Sequence, residues 1–168
     1  MSRYTYIRKD YSIEHIAYMA GIIDGEGSIY IGNFSSNPKT GTKYYQTNIE
    51  VTNTDKPLMD WILNMFGGRL YTYTAKQLPK NSRRTVYRWI ATGERVTHLA
   101  EILLPYLIVK KRQADIMILM RATFKPVTGV IRGIQGIQIL DADLLALRQT
   151  YFEEMRSLHC RNYNNEKT

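Results

Sequence analysis

The hydrophobic pattern of this chain switches between the helical and the alternating period in a fixed order: helix, strand, strand, helix, strand, strand, then helices. That order predicts an α+β fold with a four-stranded antiparallel sheet and helices on one face. Three observations carry the prediction. Turn-forming residues join the strands of each pair, every strand has one apolar and one polar face, and 168 residues suffice for one domain with a real core. Helices on one side only leave the polar face of the sheet open to water. The whole chain, 1–168, is expected to be a single domain, with a core over about 12–122, a helical extension over about 123–160 and a disordered tail over 161–168.

The first helix is expected over Ile13–Asp24, where Ile13, Ile16, Ala17, Met19, Ala20, Ile22 and Ile23 make nearly every side apolar and Ser12 can serve as N-cap. The pattern predicts a buried helix stopped by Gly25, Glu26 and Gly27. Alternation follows, with Ile29 and Ile31 on one face and Ser28, Tyr30, Gly32 and Phe34 on the other. Turn chemistry from Ser35 to Thr42 leads into a return strand that sets Tyr45, Thr47, Ile49 and Val51 against Tyr44, Gln46, Asn48, Glu50 and Thr52. Asp55 or Thr54 caps a second helix with Pro57 in its first turn and Leu58, Trp61, Ile62, Met65 and Phe66 as its stripe, ended by Gly67 and Gly68. In the second hairpin Arg69, Tyr71 and Tyr73 oppose Leu70 and Thr72, while Tyr87 and Trp89 oppose Arg88. Further helices are expected over about Glu94–Leu104, ahead of Pro105, over about Lys111–Ala122, and over about Ala142–Leu158. In the last, Leu144, Leu147, Tyr151, Met155 and Leu158 fall at helical spacing. Val127–Ile139 reads only as a connector. The two α-β-β units are alike in order, with no convincing sequence repeat between them.

Charge indicates the class of partner. Lys and Arg number 23 against 15 Asp and Glu, a formal net charge of +8, and the isoelectric point is near 9.6. Polyanions are the natural partners of such a surface. Acids are absent from two stretches: Ser28–Ile49, with Lys39 and Lys43, and Arg69–Ala91, with Arg69, Lys76, Lys80, Arg83, Arg84 and Arg88. Solvated loops account for either cluster alone, but both fall on the hairpins whose open faces collect Tyr, Gln and Asn. The single cysteine, Cys160, excludes an intrachain disulfide and a cysteine-rich zinc module, and it fits a reducing, intracellular compartment. The longest nearly apolar run, Ile16–Ile23, is far below the ~18 residues that cross a bilayer, so a soluble chain with no membrane partner is expected. His15, His98 and His159 lack metal-site spacing, and the sequence has neither a hydrolase triad nor a Gly-rich phosphate loop.

The end of the first helix is where chemistry concentrates. Ala17, Gly21 and Gly25 recur every four residues and form a ridge with almost no side chain, which suits close helix approach and equally suits packing within one domain. Asp24 and Glu26 stand at a helix C-terminus, where the helix dipole disfavours carboxylates, so something has to offset them. A divalent cation would do so, because carboxylate and carbonyl oxygens are the hard ligands that Mg2+ takes. Metal-assisted phosphodiester hydrolysis needs that assembly. The plainer alternative is a local hydrogen bond for Asp24 and solvation for Glu26.

Met19-Ala20-Gly21-Ile22-Ile23-Asp24-Gly25-Glu26-Gly27 resembles the signature of the LAGLIDADG homing endonucleases, with Met for the first Leu, Gly for the second Ala and Glu for the last acid. The small-residue pair, the two branched apolar residues and the acid-Gly-acid-Gly ending are in register. An alternating strand follows at once, as the αββαββα core of that family requires, and the resemblance covers about Ser12–Ala122. Pro105-Tyr106-Leu107-Ile108-Val109-Lys110-Lys111-Arg112-Gln113-Ala114 is similar to the family's Pro-x-Leu-x-x-Lys-x-x-Gln-Ala stretch.

The resemblance implies an intron- or intein-encoded type of nuclease that uses Mg2+ to cut both strands of a long, pseudo-palindromic DNA site. Mn2+ is expected to substitute, and Ca2+ to bind without supporting cleavage. Chains with one motif copy dimerise in this family. The resemblance therefore implies a homodimer packed through Ala17, Ala20, Gly21, Asp24 and Gly25, with two Glu26 carboxylates meeting near the two-fold axis. Glu26 and the Gly25 carbonyl take the metal-ligand role, Asp24 caps the partner's helix, and Lys110 stabilises charge or holds solvent near the scissile phosphate. Asn53 stands where homodimeric relatives often have Gln, and Lys56, next to Pro57, stands near an expected basic residue; both enter as candidate catalytic residues. A saddle-shaped sheet would then lie in the major groove, with Tyr30, Gly32, Phe34, Tyr44, Gln46, Asn48, Glu50, Arg69, Tyr71, Tyr73 and Arg88 toward the bases. Gln and Asn can read adenine, Arg guanine, and Glu can accept from cytosine. Lys39, Lys43, Lys76, Lys80, Arg83 and Arg84 at loop tips, together with Lys111 and Arg112, would meet phosphates.

Two rival readings share the charge. A non-cleaving binder on the same fold, either an RNA maturase acting on its own intron RNA or a transcription factor, would keep the sheet and leave Glu26 and Lys110 without a task. A basic structural protein, such as a ribosomal component, would leave the acid-bearing helix end unexplained.

Overall fold

The computed structural model describes residues 11–35, 43–73, 85–124 and 142–160. Its elements are α1 (Ile13–Glu26), β1 (Gly27–Ser35), β2 (Lys43–Asn53), α2 (Lys56–Phe66), β3 (Arg69–Tyr73), β4 (Val86–Thr92), α3 (Glu94–Leu103), α4 (Lys111–Ala122) and α5 (Ala142–Cys160). The four strands form one antiparallel sheet in the order β1-β2-β4-β3, the α+β arrangement that the alternating patterns predict. Lys39, Lys76, Lys80, Arg83 and Arg84, the connector over Val127–Ile139 and the tail over 161–168 lie outside the described residues, as does the side chain of Lys43.

The register explains where the core sits. Ile29 pairs with Ile49 and Ile49 with Ala91, while Val51 pairs with Trp89 and Trp89 with Leu70. Side chains alternate across a strand, so these rows stack on one face, where Ile29, Ile49, Val51, Trp89 and Ala91 are buried beneath the helices. Trp89 is the largest fully buried side chain, and its indole N–H donates to the carbonyl of Gly67 at 2.5 Å. Gly68, at φ +100°, lies so close that a Cβ there would stand 2.7 Å from that indole nitrogen. The glycine pair ending α2 is therefore required both by its backbone and by the packing of Trp89.

α1 departs from its expected form in two ways. It runs through Glu26, and Gly27, not Gly25, caps it, donating its N–H to the carbonyls of Ile22 and Ile23. A Cβ at Gly27 would meet Ile23 at 2.7 Å, so the turn from helix to strand closes tightly at this residue. The helix is also not buried all round. Met19, Ala20 and Ile23 face the core, while Ile13, Ala17, Tyr18, Gly21 and Gly25 are exposed. The helical period turns one side to the sheet; Tyr18 meets Trp61 of α2 edge-on at 5.2 Å, and among the described residues no element covers Ala17, Gly21 or Gly25.

α5 is a helix as expected, with Met155 buried and Tyr151 and Leu158 packed on the core, and it departs from the expected stripe at one position. Leu147 is exposed, whereas Arg148 is buried against α4. Its Nε donates to Thr123 Oγ1 at 2.9 Å and its Nη2 to the Thr123 carbonyl at 2.6 Å, with the guanidinium 4.6 Å from the Phe124 ring centroid. Burial lowers the pKa of Arg148, and these bonds with the ring face compensate the buried cation. Tyr45 donates to Gln149 Oε1 at 2.7 Å, and Met155 is buried, so α5 rests on α4 and the β1 side of the sheet.

Candidate functional site

α1 brings Asp24, Gly25 and Glu26 to one end of the molecule, and the segment before α4 comes to meet them. Asp24 Oδ2 accepts from the amides of Ile108 and Val109 at 2.7 and 3.1 Å, and its Oδ1 accepts from the amide of Lys110 at 2.9 Å. The Lys110 ammonium donates to the carbonyl of Asp24 at 2.6 Å. These contacts supply the offset that the helix end demands: three amides at the positive start of α4 face a carboxylate, and a cation sits on the negative end of α1. The expectation that Asp24 caps a partner's helix gives way to a cap inside its own chain. α4 has no side-chain cap of its own at Lys110, so Asp24 serves both helices. Burial lowers the pKa of Lys110, opposed by the Asp24 charge.

Glu26 is exposed at the last position of α1 and accepts a short hydrogen bond from Asn53 Nδ2. Asn53 ends β2, and the pairing of Gly27 with Val51 brings the two element ends alongside each other. The Asn53 carbonyl oxygen accepts from the Asp55 amide at 2.8 Å, which turns the amide group toward Glu26. Lys56 goes elsewhere: it pairs with Asp60 one turn along α2, and this bond raises its pKa. Glu26, Asn53, Asp24 and Lys110 thus gather at one end of α1, and Lys56 makes no described contact with them.

Among the described residues no three His, Cys, Asp or Glu side chains converge as a metal would require. One chain offers the Glu26 carboxylate and the Gly25 carbonyl, hard oxygen donors of the kind Mg2+ takes, but fewer than the roughly six it needs. The fit is that of part of a ligand set.

The ridge beside this site is open. A Cβ at Gly21 or Gly25 would meet nothing within 4 Å. Ile13 and Tyr18 on the same helix are exposed, and Ile108 and Val109, held at Asp24, are 87% and 69% exposed. Among the described residues no element packs on these small residues. Ala20 does not belong to this ridge: it is fully buried with Met19 and Ile23, which corrects its expected place in an interface.

The open sheet face carries three central rows: Tyr30, Asn48 and Thr92; Ser28, Glu50, Ile90 and Arg69; Thr52, Arg88 and Tyr71. Phe34 and Tyr44 stack at its outer end, 5.5 Å apart, with Phe34 folded across Gly32 and Gln46 exposed beside it. Tyr30, Glu50 and Arg88 hold one another. Tyr30 donates to Glu50 Oε2 at 3.0 Å, Arg88 donates to the same oxygen from Nε at 3.1 Å and Nη2 at 2.5 Å, and Nη2 reaches the Tyr30 hydroxyl at 3.3 Å. The bond to Glu50, then that to Tyr73, raises the Arg88 pKa; desolvation, then the Glu50 charge, raises that of Tyr30.

Two expected contacts are altered. Asn48 is only 2% exposed, with its side-chain oxygen unpartnered, because it sits at the centre of the sheet between Tyr30 and Thr92. Arg112 is bonded to Glu154 of α5 at 2.8 and 2.6 Å instead of extending freely, while Lys111 is exposed. Ile90, unmentioned among the sequence candidates, lies on the open face beside Glu50, and strict alternation from Arg88 already marked it.

Comparison with known proteins bears on the family and the fold. The model of the family described as LAGLIDADG endonuclease matches residues 19–122, from within α1 to the end of α4. No curated protein sequence matches the chain. Among solved structures, the homing endonuclease I-CvuI, in complex with its target in the presence of Ca, is 16% identical with a TM-score of 0.66, covering 92% of this chain and 85% of that one. The archaeal intron-encoded homing endonuclease I-Vdi141I, complexed with DNA, is 17% identical with a TM-score of 0.66, covering 86% and 84%. The homing endonuclease I-TnaI is 15% identical with a TM-score of 0.56, covering 90% and 95%. At these identities the likeness is one of fold. The family match spans more than half of the chain and contains Glu26, Asn53, Lys110 and all four strands, and on that ground the chain belongs to the LAGLIDADG endonuclease family.

Proposed function

We propose that this protein is a site-specific homing endonuclease that, as a homodimer, hydrolyses one phosphodiester bond in each strand of a long duplex DNA site with Mg2+. The observation that carries the reading is the gathering at the end of α1: an exposed Glu26 held by Asn53, beside an Asp24 whose carbonyl receives the Lys110 ammonium. Glu26 and the Gly25 carbonyl would hold the cation, which when bound supplies charge neutralisation at the phosphate and a more acidic water. Asn53 orients Glu26. Lys110 keeps a positive charge beside the site, where charge develops on the phosphate oxygens. Lys56, engaged with Asp60, is assigned no part in the reaction.

A second copy supports this chemistry in two ways. One chain furnishes one carboxylate, and two Glu26 side chains brought close would repel unless a cation lay between them. The bare ridge of Ala17, Gly21 and Gly25, flanked by exposed Ile13, Tyr18, Ile108 and Val109, suits the helix of another copy. The open sheet face, with its tyrosines, Gln46, Arg69 and the Tyr30–Glu50–Arg88 cluster, would lie in the major groove. The fold neighbours I-CvuI and I-Vdi141I were both solved with DNA.

The test is digestion of host genomic DNA by the purified protein in Mg2+, in Ca2+ and in chelator, beside Glu26→Gln, with the fragment ends sequenced. The expected result is a rare cut in Mg2+ only, lost in Glu26→Gln while DNA binding survives. A complex that forms in Ca2+ without any cut in Mg2+ would replace this reading with that of a non-cleaving binder, with intron RNA as its next test.

A further inference from the structure

We infer that Arg88 and Glu50 form one reading unit for a single G·C base pair at a fixed position of each half-site, with Arg88 donating to guanine and Glu50 accepting from cytosine N4. The inference rests on the reading of the open sheet face as the DNA surface and adds to it which base pair that part of the face selects. The two residues come from the central strands β4 and β2, and Tyr30 of β1 is their positioning residue. Every described bond of the carboxylate runs to Oε2, so Oε1 remains as an acceptor. The guanidinium uses Nε and Nη2 on Glu50 and Tyr30 and a further donor on Tyr73, so of its five N–H groups about one is left for guanine. The side chains of Arg88 and Glu50 keep 33% and 21% of their exposure, so both are accessible to solvent, Glu50 beside a hollow that Arg156 and His159 of α5 also line.

The chemistry of the unit selects its ligand. An isolated glutamate on this face would be repelled by DNA, and an isolated arginine would be drawn to any phosphate. Bonded together they carry no net charge, so their contribution to sequence-independent attraction is small and their contribution to discrimination dominates. A donor group beside an acceptor matches the major-groove edge of a G·C pair, which presents N7 and O6 of guanine as acceptors and then the N4 donor of cytosine. An A·T pair presents the thymine O4 acceptor where cytosine presents its N4 donor, so Glu50 Oε1 meets an acceptor and the pair is rejected at the carboxylate. The fixed geometry also lowers the conformational cost of the contact, since the guanidinium is held before DNA arrives.

The experiment is selection of bound sites by the full chain from a randomised duplex DNA library in Ca2+, with sequencing of the retained DNA. It compares the wild-type chain with Glu50→Gln, Arg88→Lys, Tyr30→Phe and the double variant Glu50→Gln/Arg88→Gln, with thermal unfolding measured alongside. Wild-type sites are expected to hold a G·C pair at one position of each half, and Glu50→Gln and Arg88→Lys to relax that position by about 5- to 150-fold with the others unchanged. Tyr30→Phe should relax the same position less. The double variant should keep the wild-type dependence on salt, and a slope lowered by about 1 would mark Arg88 as a phosphate contact and overturn the inference. Weakening at every position together with a lowered Tm would show a merely structural ion pair, and an A·T pair at the affected position would equally refute the assignment. A common site selected unchanged by all variants sinks the inference alone; no common site for the wild-type chain sinks the DNA reading with it.

Discussion

Lys110 joins two helix ends in the fold and, in the proposed reaction, stands beside the developing charge. Its ammonium rests on the carbonyl of Asp24 while its own amide is held by the Asp24 carboxylate, so one side chain neutralises a helix end and is thereby held in place. Lys110→Ala should slow single-turnover cleavage with little change in DNA affinity, measured by quench-flow and by binding in Ca2+. The pH dependence has a definite sign. Burial lowers the Lys110 pKa from the ordinary 10.5, so on alkaline titration this lysine loses its proton before a free one does. The folded chain then binds fewer protons than the unfolded chain in that window, and this group's contribution to stability rises with pH there. Cleavage that depends on the cation should fall over the same window, and Lys110→Arg should shift the fall to higher pH. A decline at the same pH in both proteins would detach Lys110 from the reaction.

At the scale of elements, α1 has two different faces. Its core side, Met19, Ala20 and Ile23, is ordinary packing, while Ala17, Gly21 and Gly25 are exposed and are covered by no element among the described residues. Gly21→Leu should therefore leave the folding of one chain intact and abolish self-association by sedimentation, together with DNA cutting; a variant that remains dimeric would refute the interface. The end of α2 behaves oppositely. Gly68→Ala would adopt a strained positive φ and press on the Trp89 indole, so a loss of about 1–3 kcal/mol in a urea unfolding titration is expected. α5 shows how an amphipathic reading can place most of a stripe and miss one member. Of its five apolar residues at helical spacing, Met155 is buried and Tyr151 and Leu158 pack on the core, while Leu147 is exposed and Arg148 is buried instead, satisfied by the hydroxyl and carbonyl of Thr123 and the ring of Phe124 just past α4.

For the molecule as a whole, a net charge of +8 lies on a chain whose open face holds the exposed Arg69, Tyr71, Tyr44 and Gln46. Affinity for duplex DNA should fall linearly on a logarithmic scale of salt, with a slope near −0.9 for each phosphate neutralised. A binding constant independent of salt would remove DNA from the account. The basic loops would account for most of that slope, whereas Arg88, neutralised by Glu50, would contribute little. Affinity and selectivity would then arise in different parts of one surface.

The sequence by itself determined the order of elements, the faces of all four strands, and the helix end that bears Asp24 and Glu26. Each of these follows from a local period or a local motif, and such patterns survive without knowledge of neighbours. The tertiary structure decided what those groups touch. Asp24 meets Ile108–Lys110 across more than eighty residues of chain, Glu26 meets Asn53, and Arg112 turns to Glu154, whereas the Lys56–Asp60 pair is one turn of a helix and was legible in the spacing. It also decided which apparent base readers are already occupied, because Tyr30, Glu50 and Arg88 come from three strands and Asn48 is enclosed only once the sheet has formed. The physical reason is that hydrogen bonds and ion pairs act over a few ångströms of space, and the contacts of this site join residues that sequence spacing does not bring together.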